Sequence, residues 1–368
     1  MTVSTFTKPV LVAGALIALP QLSLAQETDT TPPNAEIGYI FTTFMFLVTG
    51  FLVMWMAAGF TMLEAGLVRQ KNVTMQLTKN VALFSIAAVM YYLLGYNLMY
   101  PGSGWSIDGI LGAFATTSLE PVGLADTETD LSYASVGSDF YFQLMFCATT
   151  ASIVSGTLAE RIKLWPFLLF VVVLTGLIYP IQASWKWGGG FLAPGTEGVT
   201  DFLDFAGSTV VHSTGGWAAL AGALILGPRL GKYGKDGRVH PIMGSNLPLA
   251  TLGTLILWLG WFGFNGGSQL YMDTAGNVAD MSRIFANTNT AAAGIWGTLA
   301  VVLTNPDASL GRQVLGIVVV GIFVFVVSAA VWMILKATMG MRVSEEEEVN
   351  GLDMAELGME AYPEFSKG

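Results

Sequence analysis

The sequence contains little cysteine, histidine or charge, and these shortages exclude several classes of protein. Cys147 is the only cysteine in 368 residues, so the chain can form neither an internal disulfide nor a cysteine-rich metal cluster. The two histidines, His212 and His240, lie far apart and form no metal-binding motif. Lysine and arginine total 16 against 26 acidic residues, which provides no basic surface for nucleic acid. The sequence predicts no cofactor.

The low charge is matched by a high apolar content. Charged residues make up 11% of the chain and hydrophobic residues 53%, whereas an ordinary soluble domain has about 25% charged residues. The mean hydropathy is +0.60, and the 43 glycines suit helices that pack closely inside a bilayer. This composition indicates an all-α membrane protein with several spans and argues against a soluble enzyme or a disordered chain.

The first 25 residues predict a secretory signal peptide. Lys8 gives a weakly positive start, residues 10–19 form a short apolar core, and residues 23–25 form a small-x-small cleavage site. The alternative is a first transmembrane helix, but the core is too short and Pro20 ends it. We therefore expect a polar external segment over 26–38.

Seven apolar runs are long enough to cross a bilayer, which takes about 20 residues each. An eighth run, at 287–304, is shorter and begins with polar residues. The seven runs lie at 40–62, 77–99, 139–159, 164–183, 206–227, 246–267 and 312–337.

Positive charge predicts the orientation of these spans, because cytoplasmic loops are enriched in lysine and arginine. Basic residues follow the first, third and fifth spans, at 69–71, 161–163 and 229–238. The 100–138 loop has no lysine or arginine, which is typical of an external loop. We expect a multi-pass protein of the cell membrane whose mature N-terminus lies outside.

Two ionisable residues, Asp204 and His212, flank the start of the fifth span. An ionisable group in a span is expensive and marks a functional site by default, although packed helices can also satisfy a histidine with hydrogen bonds. For Asp204, a helix cap and a direct charge role are both open. Aromatic residues recur nearby: Phe142 and Phe146 are four residues apart, and Trp261, Phe264 and Ser268 share one helical face.

Several motifs occur together in one order. They are EAGL at 64–67, LAERI at 158–162, KWGGG at 186–190, DFAG at 204–207 and GWFGFN at 260–265. In this order they resemble the ammonium transporter family (Amt/MEP/Rh), over about 39–290 and again over 294–365. The acidic tail and Trp187 suit the Amt branch better than the Rh gas channels.

The resemblance implies a homotrimer of helical bundles, each with a narrow pore through a transmembrane domain at 39–340. Trp187 and Ser268 would bind ammonium at an external vestibule, and Phe146 and Phe264 would form the gate below. His212 would be one of two pore histidines. Asp204 would be the acidic residue near the pore entrance. Ammonium would lose a proton there, and ammonia would cross with the proton moving separately but coupled.

The chain departs from the family pattern in its second half. The family has eleven spans, in two inverted halves of five and a last helix, and part of the second half is missing here. The junction falls near 290–294, and the second pore histidine belongs to the missing stretch; His240, in a basic loop, does not match it. We infer an in-frame deletion that truncates the second inverted repeat.

The tail at 341–368 is acidic, with four glutamates at 345–348 and Gly-Leu-Asp at 351–353. It resembles the family's cytoplasmic regulatory tail, which implies docking on a neighbouring subunit and control by a PII-type nitrogen signal protein. Leu357 stands where the family has histidine. The alternative interpretation of this tail is an acidic segment that is simply exposed to solvent, which is the commoner case for such a run.

Two functions remain open at this stage. The first is an ammonium transporter. The second is a non-conducting ammonium sensor or accessory subunit, which the missing helices favour. A membrane enzyme is disfavoured because the sequence has no nucleophile–base pair, metal motif or phosphate loop.

Overall fold

The computed structural model describes residues 35–119, 131–193, 202–292 and 309–363. The predicted signal peptide at 1–25 lies outside these residues, as do residues 293–294 of the junction near 290–294. The described residues form α-helices and isolated β-bridges, with no β-strand among them. The all-α prediction is confirmed.

Eleven α-helices occur in the described part of the chain. They are α1 (Ala35–Leu67), α2 (Val73–Met90), α3 (Tyr96–Met99), α4 (Val136–Thr157), α5 (Leu164–Val173), α6 (Tyr179–Ser184), α7 (Thr214–Leu226), α8 (Leu247–Gly267), α9 (Ala275–Ala292), α10 (Leu310–Met339) and α11 (Glu345–Asn350). Short π-helical turns at Tyr91–Gly95 and Leu174–Ile178 join α2 to α3 and α5 to α6, and a third at Ser208–Ser213 leads into α7.

Six helical stretches in the described residues are long and apolar enough to cross a membrane. They are Ala35–Leu67, Gln70–Met99, Leu164–Ser184, Ser208–Leu226, Leu247–Gly267 and Leu310–Thr338. These match six of the seven predicted spans. The helix α4 occupies the remaining one but is less apolar, because it is buried among other helices and carries residues such as Gln143 and Thr150 on protein-facing sides. The helix α9, where the marginal run begins, is not among the six.

The helices pack through small residues and a few large aromatic ones. A β-carbon at Gly253 of α8 would lie 2.3 Å from the backbone nitrogen of Leu63 on α1, so the two backbones are in direct contact there. On the other side of the molecule, Trp332 of α10 stacks on Phe170 of α5 at 3.7 Å, and its indole N–H donates to the Ala218 carbonyl of α7. These contacts hold α1 to α8 and α10 to α5 and α7.

A buried polar network links α1, α2 and α4. The Glu64 carboxylate accepts hydrogen bonds from Gln76, Asn80 and the Ser155 hydroxyl at 2.5, 2.8 and 2.8 Å. The Lys79 ammonium donates to Gln76 Oε1 at 2.8 Å and to the Ser155 carbonyl at 3.0 Å. Lys79 is fully buried, so its charge and that of Glu64 are balanced through Gln76 and Ser155 rather than by water.

The basic loops and the tail meet on one face of the bundle. Glu160 binds Arg69 and Arg229 at 2.9 and 3.2 Å, which ties together the ends of α1, α4 and α7. Burial raises the pKa of Glu160, but hydrogen bonds and the charges of both arginines outweigh it and hold the pKa below its usual value. Asp353 of the tail accepts from the backbone N–H groups of Thr74 and Met75, at the start of α2.

The tail therefore lies on the same face of the bundle as the basic loops. Glu356 accepts from the Leu164 N–H at the start of α5, and Glu348 pairs with Arg342 at 2.6 Å. Ser344 and Glu347 form a capping box that starts α11. The described tail residues bind their own chain, whereas the resemblance implies docking on a neighbour.

Candidate functional site: a vestibule above an aromatic column

The turn before α7 is built on the carboxylate of Asp204. Its Oδ1 accepts from the N–H groups of Gly207 and Ser208 at 2.8 and 2.9 Å. Its Oδ2 accepts from those of Thr209 and Val210 at 2.9 and 2.8 Å. Asp204 is buried, and the four donors are those that the start of a helix leaves unpaired. Of the two roles considered above, the geometry shows the cap.

Gly207 is required by the backbone at this turn. Its φ of +88° is left-handed, and a β-carbon there would lie 2.5 Å from Val211 Cγ2 and 3.0 Å from the Trp187 ring. The Trp187 indole N–H donates to the Asp204 carbonyl at 2.8 Å. The same short segment thus starts α7 and fixes the tryptophan ring.

Four aromatic side chains, beginning with this tryptophan, form a continuous column. The rings of Trp187 and Phe146 are 5.9 Å apart between centroids, and Phe146 stacks on Phe264 at 3.9 Å. The His212 ring meets Phe264 edge-on at 5.1 Å. Phe146 and Phe264 are each 1% exposed, so this stacked pair closes the path between Trp187 and His212.

A cavity of about 340 Å³ lies above the phenylalanine pair. Trp187 and Ser268 both line it, and Phe205 closes another side. The Ser268 hydroxyl donates its hydrogen to the Phe264 carbonyl at 2.8 Å, so the hydroxyl oxygen can accept a hydrogen bond from a ligand in the cavity. We call this cavity the vestibule.

Below the pair, the described residues leave His212 exposed. Its Nδ1 lies 3.3 Å from the Gly207 carbonyl, and its ring borders a second cavity, of about 550 Å³. Trp258, Trp261 and Asn265 of α8 line this second cavity. Among the described residues the column therefore opens into this second cavity at the histidine.

The structure brings together all six residues predicted from the motifs. Trp187 and Ser268 share the vestibule, Phe146 and Phe264 stack beneath it, and His212 follows. Asp204 lies outside the column, and its backbone carbonyl accepts the hydrogen bond that holds the Trp187 ring. His240 lies elsewhere, exposed in the loop before α8 with its Nδ1 3.0 Å from the Gly231 carbonyl.

Among the vestibule residues that sequence reasoning missed are Asp139 and Gln143, which line the cavity beside Phe146. They lie four and eight residues after Ser135, the residue that caps α4. An acid in a first helical turn is common. Asp139 and Gln143 are four residues apart and share a helix face with Phe146, and this spacing could have identified them from the sequence.

These features define a multi-pass helical membrane protein with an aromatic-lined passage. A model of the Ammonium Transporter Family matches residues 44–306 and 293–362. The chain belongs to this family, and the assignment made from the motifs is confirmed.

Individual relatives agree with the family match. The chain is 42% identical over 272 residues to the ammonium transporter Amt2 of Archaeoglobus fulgidus, covering 73% of this chain but only 54% of that one. The chain is 31% identical over 418 aligned positions to the ammonium transporter Amt2 of Haloferax mediterranei. That alignment covers 87% of this chain and 89% of that one. Because this chain has 368 residues, that alignment must contain gaps in it.

The fold is also that of a solved structure. The chain matches a protein described as "Sensor Amt Protein" with a TM-score of 0.70 and 28% identity. The match covers 87% of this chain and 99% of that one.

Proposed function

We propose that the chain moves ammonium across the cell membrane, binding it in the vestibule and passing ammonia down the aromatic column. The observation that supports this most directly is the uninterrupted series Trp187, Phe146, Phe264 and His212. An ammonium ion over the face of an indole ring is stabilised by about 0.5–2 kcal/mol through the cation–π interaction. The Ser268 oxygen accepts a hydrogen bond from one of its N–H groups.

The stacked phenylalanines make deprotonation necessary. Desolvating an ammonium ion costs several kcal/mol even after relaxation, and a passage between two buried rings offers the ion no hydrogen-bond acceptor. Ammonia is neutral and avoids that cost. His212 has one donor and one acceptor nitrogen when neutral, so it either guides ammonia or carries the proton separately.

We further propose that the second inverted repeat is truncated near 290–294. The family match in two segments and the gapped alignment to the Haloferax relative support this. The exposed His212 ring supports it too, since the second pore histidine would face it. The transmembrane domain would then run over 39–340 and the cytoplasmic tail over 341–368.

The second candidate function is an ammonium sensor or accessory subunit. The exposure of His212 and the similarity to a protein described as a sensor favour it. In both cases we propose a homotrimer, an external N-terminal segment after a cleaved signal peptide, and a PII-type protein as the partner of the tail.

Ammonium-evoked current in proteoliposomes distinguishes the two candidates. The protein is purified, confirmed as a trimer by size, and reconstituted beside empty liposomes. A saturable current is the expected result, because the vestibule, the gate and His212 are all present. A folded trimer that binds ammonium in a calorimetric titration but carries no current would overturn transport in favour of the sensor.

A further inference from the structure

Asp139 lies in the vestibule but has no part in the site that the motifs predict. It is 8% exposed and belongs to the first turn of α4. The cap of that helix is Ser135, whose side chain accepts from the Ser138 N–H. Asp139 is therefore not needed as the cap, and it is the one carboxylate among the described residues that line the vestibule.

The Asp139 carboxylate has neutral partners on both oxygens. The Tyr96 hydroxyl donates to Oδ2 at 2.5 Å, and the Gln143 amide donates to Oδ1 over a long 3.4 Å. No lysine or arginine of the described residues forms an ion pair with it. The favourable helix end offsets only a small part of the cost of burying an ion, so the charge of Asp139 lacks a compensating positive charge.

Gln143 gives an independent indication of a ligand. It is 5% exposed, lines the same cavity, and its Oε1 has no hydrogen-bond partner among the described residues. Buried polar oxygens are nearly always paired, and an unpaired one calls for an explanation. A ligand with N–H donors in the cavity would supply the missing partner.

The remaining walls of the vestibule also suit a cation. Tyr96, Tyr100, Tyr133 and Tyr271 line it, and aromatic faces attract positive charge. Burial and the charge of Asp139 raise the pKa of Tyr100 and Tyr133, so both hydroxyls stay neutral and do not compete with Asp139 for the cation.

We propose that Asp139 and Gln143 form a recruitment site for ammonium in the vestibule, beside Trp187 and Ser268 and before the phenylalanine gate. The carboxylate supplies the charge, the Gln143 oxygen accepts an N–H, and the tyrosine rings supply cation–π contacts. The site takes a small monovalent cation with N–H donors. This inference rests on the proposed function, because it names a residue pair that captures the substrate.

The test compares Asp139→Asn with the wild type in two assays. In proteoliposomes we expect the half-saturating ammonium concentration to rise about tenfold with an unchanged maximal current, since the gate is untouched. In detergent, a calorimetric titration with ammonium chloride should show the same weakening, and potassium chloride should bind more weakly because it has no N–H donors. Asp108→Asn, an exposed carboxylate in the 100–119 loop, is the matched control.

Gln143→Met keeps the inference testable if Asp139→Asn does not fold. It removes the unpartnered oxygen without changing charge, and it should also weaken ammonium binding. Wild-type affinity in either folded variant, or equal binding of potassium, overturns the recruitment site while transport by the wild type still stands. Binding that depends on Asp139 without any current overturns transport and leaves the site. A wild type that neither binds nor conducts overturns both.

Discussion

Replacing Asp204 with alanine is expected to lower the free energy of unfolding by about 3 kcal/mol or more. The carboxylate accepts four backbone N–H groups at 2.8–2.9 Å, and a methyl group accepts none. Unpaired buried donors cost about 1–3 kcal/mol each, although water entering the turn would recover part of this. Chemical unfolding in detergent measures the change.

Asp204→Asn removes the charge of the carboxylate and keeps part of the cap. The amide keeps one acceptor oxygen but turns an N–H₂ group towards two backbone donors, so we expect it to be destabilising as well, though less than alanine. Asp108→Ala, on an exposed loop, serves as the stability control. Wild-type stability of Asp204→Ala combined with a weaker ammonium response would show that the residue acts by charge and not as a cap.

Lys79→Met is the second substitution with a large expected effect. Lys79 is fully buried, its ammonium donates to Gln76 and Ser155, and it lies 4.7 Å from the Phe167 ring centroid. Removing it leaves the Glu64 carboxylate buried without the positive charge that is linked to it through Gln76 and Ser155. Breaking a direct buried ion pair costs about 3–5 kcal/mol, and we expect a large part of that cost here. The unfolding midpoint should fall accordingly.

The double variant Glu64→Gln with Lys79→Met provides the control for this prediction. It removes both charges while keeping the side-chain volumes, so much of the lost stability should return. Lys235→Met, at an exposed position in the loop before α8, controls for the loss of a positive charge alone. Additive effects of the two single changes would mean that Glu64 and Lys79 do not interact.

The aromatic column was predictable because its residues lie within or close to motifs that occur in one order. The motifs identified Trp187, Phe146, Phe264 and His212, and the structure supplies the contacts between them. The spans were predictable from apolar length, apart from α4, whose burial by protein relaxes the need for apolar residues. Glu160 binds Arg69 and Arg229 on one face, and the orientation inferred from the positive charges stays a prediction.

What the sequence left undetermined depends on contacts between distant segments. The partners of Lys79 lie on two helices and are joined only when α1, α2 and α4 pack. The spacing of Asp139, Gln143 and Phe146 was a weak signal, because an acid near a helix start has an ordinary explanation. Whether Asp204 caps a helix or attracts charge was also open, since only the backbone geometry of the turn separates the two.

The ammonium-evoked current of His212→Ala against the wild type tests the central claim most directly. If ammonia passes along the column, removing the ring beneath Phe264 should lower the current at least about tenfold, an increase of about 1.4 kcal/mol in the barrier. His240→Ala, in the loop before α8, should leave the current unchanged. A full wild-type current in a correctly folded His212→Ala trimer would show that ammonium takes another route.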